Sequence, residues 1–156
     1  MRIPTLRKRA VTTATLGIAG VAAASVMAAP PAQAAAVYWQ FKSAYGTCLT
    51  AGRTEVAFAS SCNGSSYQQW DWVHDSNGET YAQLKNRATG RCLATDNKNN
   101  ANAVWTSDCV WRDGQRFHYN QPSGFFTNIW SKKLRAESDG AVRAGLELAY
   151  WDGWHN

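Results

Sequence analysis

The sequence predicts an all-β protein built on a repeated unit, and three observations carry that expectation. Short runs rich in Tyr, Trp, Phe and Val, such as VYWQFKS (37–43) and TYAQLKN (80–86), alternate with clusters of Gly, Asn, Ser and Asp. Beyond residue 34 no stretch keeps a 3.6-residue apolar period for long, so strands are expected rather than amphipathic helices. A cysteine-centred pattern also recurs at a period of about forty residues, the spacing of a supersecondary repeat.

The chain opens on a leader. Arg2, Arg7, Lys8 and Arg9 make a basic start, an Ala/Val/Gly-rich run extends from Ala10 to Ala29, and PPAQA supplies an Ala32-x-Ala34 processing pattern. Residues 1–34 are read as a secretory signal peptide and 35–156 as one mature domain. The apolar run is diluted by Thr and Gly and meets the processing site at once, which argues against a membrane anchor. Arg7-Lys8-Arg9 suits either a plain basic n-region or a loose twin-arginine signal, so the export route stays open.

Removing the leader changes the electrostatics. The full chain carries 16 Lys and Arg against 11 Asp and Glu, but four of the basic residues and none of the acidic ones lie in the leader. The mature domain is therefore close to neutral and lacks the concentrated basic face that a nucleic-acid partner needs. All four cysteines, Cys48, Cys62, Cys92 and Cys109, lie in the mature part. An even count in an exported domain argues for disulfides, and without a C-x-x-C step the spacing does not suit zinc. No metal and no cofactor are expected.

Aligning the cysteines exposes the repeat. GTCLTA (46–51) matches GRCLAT (90–95), each follows an aromatic strand, and each leads to a second cysteine. Gln68-Gln69-Trp70 begins six residues after Cys62, and Gln115-Arg116-Phe117 begins six residues after Cys109. A fainter third copy, GFFTNIWSKKLRAE (124–137), is aligned with Leu134 where Cys92 stood and Trp151 seventeen residues on, at the second-cysteine position. Leu134 and Trp151 are then expected to touch, an apolar pair in place of a disulfide. The approximate repeats are 37–78, 79–121 and 122–156.

Cys-Leu, a second Cys and a following Gln-x-Trp, repeated over essentially the whole mature chain, resemble the ricin-type lectin domain. The resemblance implies a β-trefoil: four short strands per repeat, two for a six-stranded barrel and two for a capping hairpin, closed about a pseudo-threefold axis. It implies the bridges Cys48–Cys62 and Cys92–Cys109, and structural roles for Gln68, Trp70, Gln115 and Phe117 in core and turn packing.

Sugar sites of that family combine an Asp two residues after the first Cys, a hairpin aromatic, and an Asn before the Gln of Q-x-W. Carboxylate and amide take vicinal hydroxyls, while the ring stacks on the sugar's C–H face. Here the Asp position reads Thr50, Ala94 and Ala136, and the Asn position reads Tyr67, Gly114 and Asn156, so only the last matches. Substitute candidates are Asp96, Asn97, Trp105 and Trp111 in the second repeat, and Glu137, Asp139, Tyr150, Trp154 and Asn156 in the third. Asp96-Asn97 and Asp139-Gly140 read equally well as ordinary turn residues. Eight Trp exceed the needs of a small barrel core, which favours exposed indoles for a carbohydrate ring or a protein partner.

Catalytic patterns do not assemble. His74, His118 and His155 are scattered, no nucleophile motif accompanies them, and Asp108 and Asp113 share one turn-like loop. The expected function is a secreted carbohydrate-binding module without catalytic activity, with no nucleic-acid partner and no membrane anchor once the leader is removed. The alternative is a trefoil that contacts a secreted protein, as an inhibitor or a toxin-associated subunit, its sugar sites decayed. With Asn156 placed just before a missing Gln, the chain is further expected to stop short of its last barrel strand and to leave an open edge beside residues 38–41.

Overall fold

In-out alternation defines the strands. The computed structural model describes residues 37–156, and the expected signal peptide lies outside the described residues. In β1 (Trp39–Ser43), Phe41 and Ser43 turn inward and are buried while Lys42 between them is exposed. The first repeat continues with β2 (Thr47–Ala51), β3 (Ala57–Ser61) and β4 (Trp70–Val73). The second holds β5 (Gln83–Asn86), β6 (Cys92–Thr95), β7 (Ala101–Ser107) and β8 (Phe117–Asn120). The third holds β9 (Phe125–Asn128), β10 (Lys133–Ala136), β11 (Val142–Gly145) and β12 (Trp151–His155).

Six strands close a barrel. β1 meets β4 at Trp39 and Trp70, β4 pairs with β5, and Ala82, just before β5, exchanges two backbone hydrogen bonds with Phe117 of β8, each 2.8 Å. β8 pairs with β9, and Trp151 N–H donates to Gly124 O (2.9 Å) between β9 and β12. β12 pairs with β1 over five residues, from Trp39 opposite His155 to Ser43 opposite Trp151. The hairpins β2–β3, β6–β7 and β10–β11 meet one another through β7–β11, Val56–Trp105 and Phe58–Ala141. Barrel plus three capping hairpins is the β-trefoil architecture.

The core is layered by the same threefold relation. Phe41, Leu84 and Phe126 form one set, Leu49, Leu93 and Leu134 a second, and Trp70, Phe117 and Trp151 a third, none more than 1% exposed. Each such side chain contributes roughly 1.5–3 kcal/mol by leaving water. Disulfides join Cys48 to Cys62 and Cys92 to Cys109, so each of the first two repeats carries its own bridge.

The structure corrects the register of the third repeat. Gly46 and Gly90, each two residues before the first Cys of its repeat, adopt φ of +76° and +68°, and Ser131 adopts +59° in the corresponding turn. Lys133 therefore stands where Cys48 and Cys92 stand, opposite Gly145 as those cysteines stand opposite Ser60 and Ser107. Leu134 matches Leu49 and Leu93, and Trp151 matches Trp70 and Phe117 as the first residue of the repeat's last strand. The two residues do touch, but as members of the Leu and aromatic layers rather than as a replaced disulfide. The last barrel strand is likewise not missing: β12 occupies the edge beside β1 that was expected to be open. The physical cause is a shortened connection. Only Leu146–Tyr150 separates β11 from β12, whereas Cys62–Gln69 and Asp108–Arg116 serve the other repeats.

Candidate functional site

The corrected register places Thr50, Ala94 and Arg135 at equivalent hairpin positions, paired across their hairpins with Phe58, Trp105 and Arg143. The residues before the last-strand tripeptides become Tyr67, Gly114 and Leu148. Asn156 does not occupy that position; it lies beyond β12, where its side-chain oxygen accepts the Tyr38 N–H (2.7 Å).

In the first repeat the polar groups are spent on structure. Gln68 is fully buried; its amide oxygen accepts from Asn63 N–H (2.8 Å), and its amide nitrogen donates to Ser61 O (2.9 Å) and Thr50 Oγ1 (3.1 Å). Thr50 also donates its hydroxyl to Cys48 O (2.8 Å). A depression of about 330 Å³ lies over these residues, with Phe58 and Tyr67 as its aromatic walls.

In the second repeat Gln115 plays the same part, accepting from Val110 N–H (2.9 Å) and Gln83 Nε2 (2.8 Å) and donating to Asp108 O (2.7 Å). Gly114 packs so closely on Thr95 O that no Cβ fits. Ala94 is buried opposite a half-buried Trp105. Asp96 forms an ion pair with Lys98 (3.2 Å), Asn97 is exposed in the hairpin turn, and Trp111 is exposed beyond Cys109.

The third repeat differs because neither a disulfide nor a buried Gln fills its short connection; Ala149 stands where Gln68 and Gln115 stand. A cleft of about 400 Å³ opens there, between the β1–β2 turn, β10 and Leu146–Tyr150. Tyr45, Phe125 and Tyr150 line it together with Arg135, Glu137 and Glu147. Arg135, largely buried, is the keystone: one guanidinium nitrogen binds Glu137 (2.8 Å) and another binds Glu147. Glu137 also lies 4.0 Å from Arg143. The Glu147 carboxylate remains mostly exposed, as are the rings of Tyr45 and Tyr150.

Of the third-repeat candidates, the cleft gathers Glu137 and Tyr150. Asp139 instead closes the β10–β11 turn by accepting Ala141 N–H (2.9 Å) and borders the depression where the three hairpins meet. Trp154 is exposed on β12 opposite Gln40. Sequence reasoning missed Tyr45, Phe125, Arg135 and Glu147. A one-residue correction of the third repeat would have pointed to Arg135; Tyr45 needed knowledge that β1 closes against β12.

Among the described residues no group of three or more His, Cys, Asp or Glu is placed to hold a metal, and no helix is long and apolar enough to cross a membrane. Sequence comparison finds no matching family model and no matching curated protein. Solved structures are similar in shape. A designed threefold-symmetric protein, ThreeFoil, matches with a TM-score of 0.60 and 20% identity over 74% of this chain and 96% of its own. An exo-β-1,3-galactanase from Clostridium thermocellum matches with a TM-score of 0.64 and 16% identity, over 74% of this chain but only 29% of the galactanase. The Haemophilus ducreyi cytolethal distending toxin matches with a TM-score of 0.58 and 13% identity over 74% of this chain and 81% of that one. Topology and likeness agree on one identification: the described chain is a β-trefoil.

Proposed function

We propose that this protein is a secreted, non-catalytic carbohydrate-binding module of the ricin lectin type, and that its working site is the third-repeat cleft. The observation that carries the reading is the convergence of Tyr45 and Tyr150 with the Arg135-held carboxylates of Glu137 and Glu147. A pyranose offers vicinal hydroxyls, which carboxylates accept well, and an apolar C–H face, which an aromatic ring covers. The guanidinium fixes both acceptors before a ligand arrives, so less ordering entropy is lost on binding. Both carboxylates sit on one guanidinium instead of flanking a scissile bond from two sides, which supports binding without hydrolysis. Two disulfides support an exported protein, since such bridges persist in oxidising compartments.

Likeness to part of a galactanase makes β-1,3-linked galactose oligomers the first ligands to test. A glycan array followed by calorimetry on its best sugar is the direct experiment. Saturable binding that falls at least about tenfold in Glu147→Gln or Tyr150→Ala, measured well below the melting temperature of each folded variant, is expected. Binding that survives both substitutions would remove the cleft from the reading.

One observation favours a second reading, contact with a secreted protein. Leu146 and Leu148 are 60% and 73% exposed beside the cleft, and apolar exposure of this kind marks protein contacts. No response to any glycan, with capture of one secreted protein that Leu148→Asp abolishes, would select it.

A further inference from the structure

The barrel holds another cavity, between the end of β4, the approach to β5 and β8, and the pseudo-threefold relation indicates what fits it. Two residues before Phe41, Leu84 and Phe126 stand Trp39, Ala82 and Gly124, which are therefore equivalent. Each lies against the first residue of a last strand: Trp39 opposite Trp70, Ala82 opposite Phe117, and Gly124 bonded to Trp151.

In the first of these places an indole fills the space. The Trp39 ring lies 4.9 Å from the His155 imidazole and 6.0 Å from the rings of Phe41 and Tyr119. At Gly124 the space is taken by Tyr150, whose ring a Cβ there would strike. At Ala82 no side chain among the described residues takes it. A cavity of about 150 Å³ remains, walled by Trp72, Phe117 and Tyr119, with His74, Thr80 and His118 around it. His74 follows Trp70 by four residues as His155 follows Trp151, so it stands where His155 stands beside Trp39.

Tyr119 helps keep the cavity open. Its hydroxyl donates to Trp151 O (2.9 Å) and accepts Gly153 N–H (2.8 Å), which holds the ring over Gly153. A Cβ on Gly153 would come within 2.6 Å of that ring. The phenol hydroxyl is thereby committed to β12.

We propose that this cavity binds one aromatic ring of phenol size from a small ligand, in the place where Trp39 packs in the first repeat. A recess of about 150 Å³ has room for a benzene-sized molecule. The buried floor, Ala82 and Phe117, is apolar, and polar side chains occur only among the more exposed residues, which suits a ring with one polar edge.

Titration with phenol, followed by NMR of the aromatic resonances, with Trp72 and His74 at the recess and Tyr45 and Tyr150 as the distant controls, tests this. Saturable shifts are expected with a Kd on the order of 1 mM, suited to about seven non-hydrogen atoms. Cyclohexanol, of similar size without a π face, should bind roughly tenfold more weakly. Ala82→Trp, which copies the Trp39 arrangement, should abolish the phenol response in a folded protein. If that variant does not fold, Thr80→Trp on the exposed rim serves instead and should also abolish it. Non-saturating shifts, shifts confined to Tyr45 and Tyr150, equal binding of cyclohexanol, or phenol binding retained in the folded blocking variant would each overturn the proposal.

Discussion

Trp151 donates its indole N–H to the carbonyl of Leu134 at 2.7 Å, and Trp70 donates to Leu49 at 3.1 Å in the same way. The sequence separations differ, 17 against 21, yet the bond is the same, so it marks structurally equivalent residues across a connection of different length. A buried indole needs a partner for its N–H, and the Leu carbonyl at the hairpin base supplies it.

Replacing Trp151 by Ala should therefore cost about 3–5 kcal/mol, as large-to-small changes of a buried aromatic do. Trp151→Phe should cost far less, because Phe117 fills the equivalent place in the second repeat without an indole bond. Urea unfolding of both variants checks the ordering; equal losses would remove the equivalence.

Asn86 is fully buried and binds the second repeat to the first. Its amide nitrogen donates to Tyr67 O (2.8 Å) and Gln69 O (3.2 Å), while its oxygen accepts from Ala88 and Thr89 N–H (3.1 and 3.2 Å). Asn86→Leu keeps the branching and number of side-chain heavy atoms but strands these backbone groups, at about 1–3 kcal/mol for each one left dry. Thermal unfolding should show a loss well beyond that of Lys85→Leu, at the exposed neighbour.

The bridges close loops of similar length, with separations of 14 and 17. Removing either by paired Cys→Ala substitution should lower stability by about 3 kcal/mol in the chain-entropy model. Non-reducing peptide mapping should recover only the two bridges within repeats. Hydrogen exchange should be faster along Leu146–Tyr150, which carries neither a bridge nor a buried Gln, than along the equivalent connections Cys62–Gln69 and Asp108–Arg116.

Two titrations follow from burial. Asp71 is raised above its ordinary 3.8, mainly by desolvation, with Arg87 and Lys85 opposing. The folded state then holds this proton longer than the unfolded chain, so the group's contribution is most favourable at low pH and declines as pH rises from about 3.8 through the folded value. Asp71→Asn should gain stability relative to the parent across that rise. Tyr119 is raised above 10.0, chiefly by desolvation, with the Gly153 bond opposing and the charges of Asp152 and Tyr150 adding to the rise. Stability should accordingly fall as pH passes 10, and one tyrosine should ionise late in a spectrophotometric titration; a single midpoint for all six would contradict it.

How far the sequence could be read depended on which residues recur. Cys-Leu and the tripeptides at Gln68 and Gln115 recur at matched spacing, so the all-β class and the trefoil were legible from the first two repeats. In the third, Lys133 and Ala149 replace the residues that announce the pattern, and the connection before Trp151 is short. Aligning on a separation of seventeen then fixed Trp151 one strand too early. The cleft was only half visible because Tyr45 and Tyr150 are more than a hundred residues apart in sequence and meet only once β1 closes against β12.

That closure also settles a question of connectivity. With Trp39 opposite His155 and Tyr38 N–H bonded to Asn156, the first and last described residues of the trefoil are next-door neighbours. A short flexible linker can join them into a continuous circle, to be reopened elsewhere. The exposed turn at Ser76–Gly78, between β4 and β5, is the natural place to cut, since few contacts cross such a tip. The permuted chain would lead with the β5 strand and carry the 400 Å³ cleft in its middle, on one uninterrupted segment.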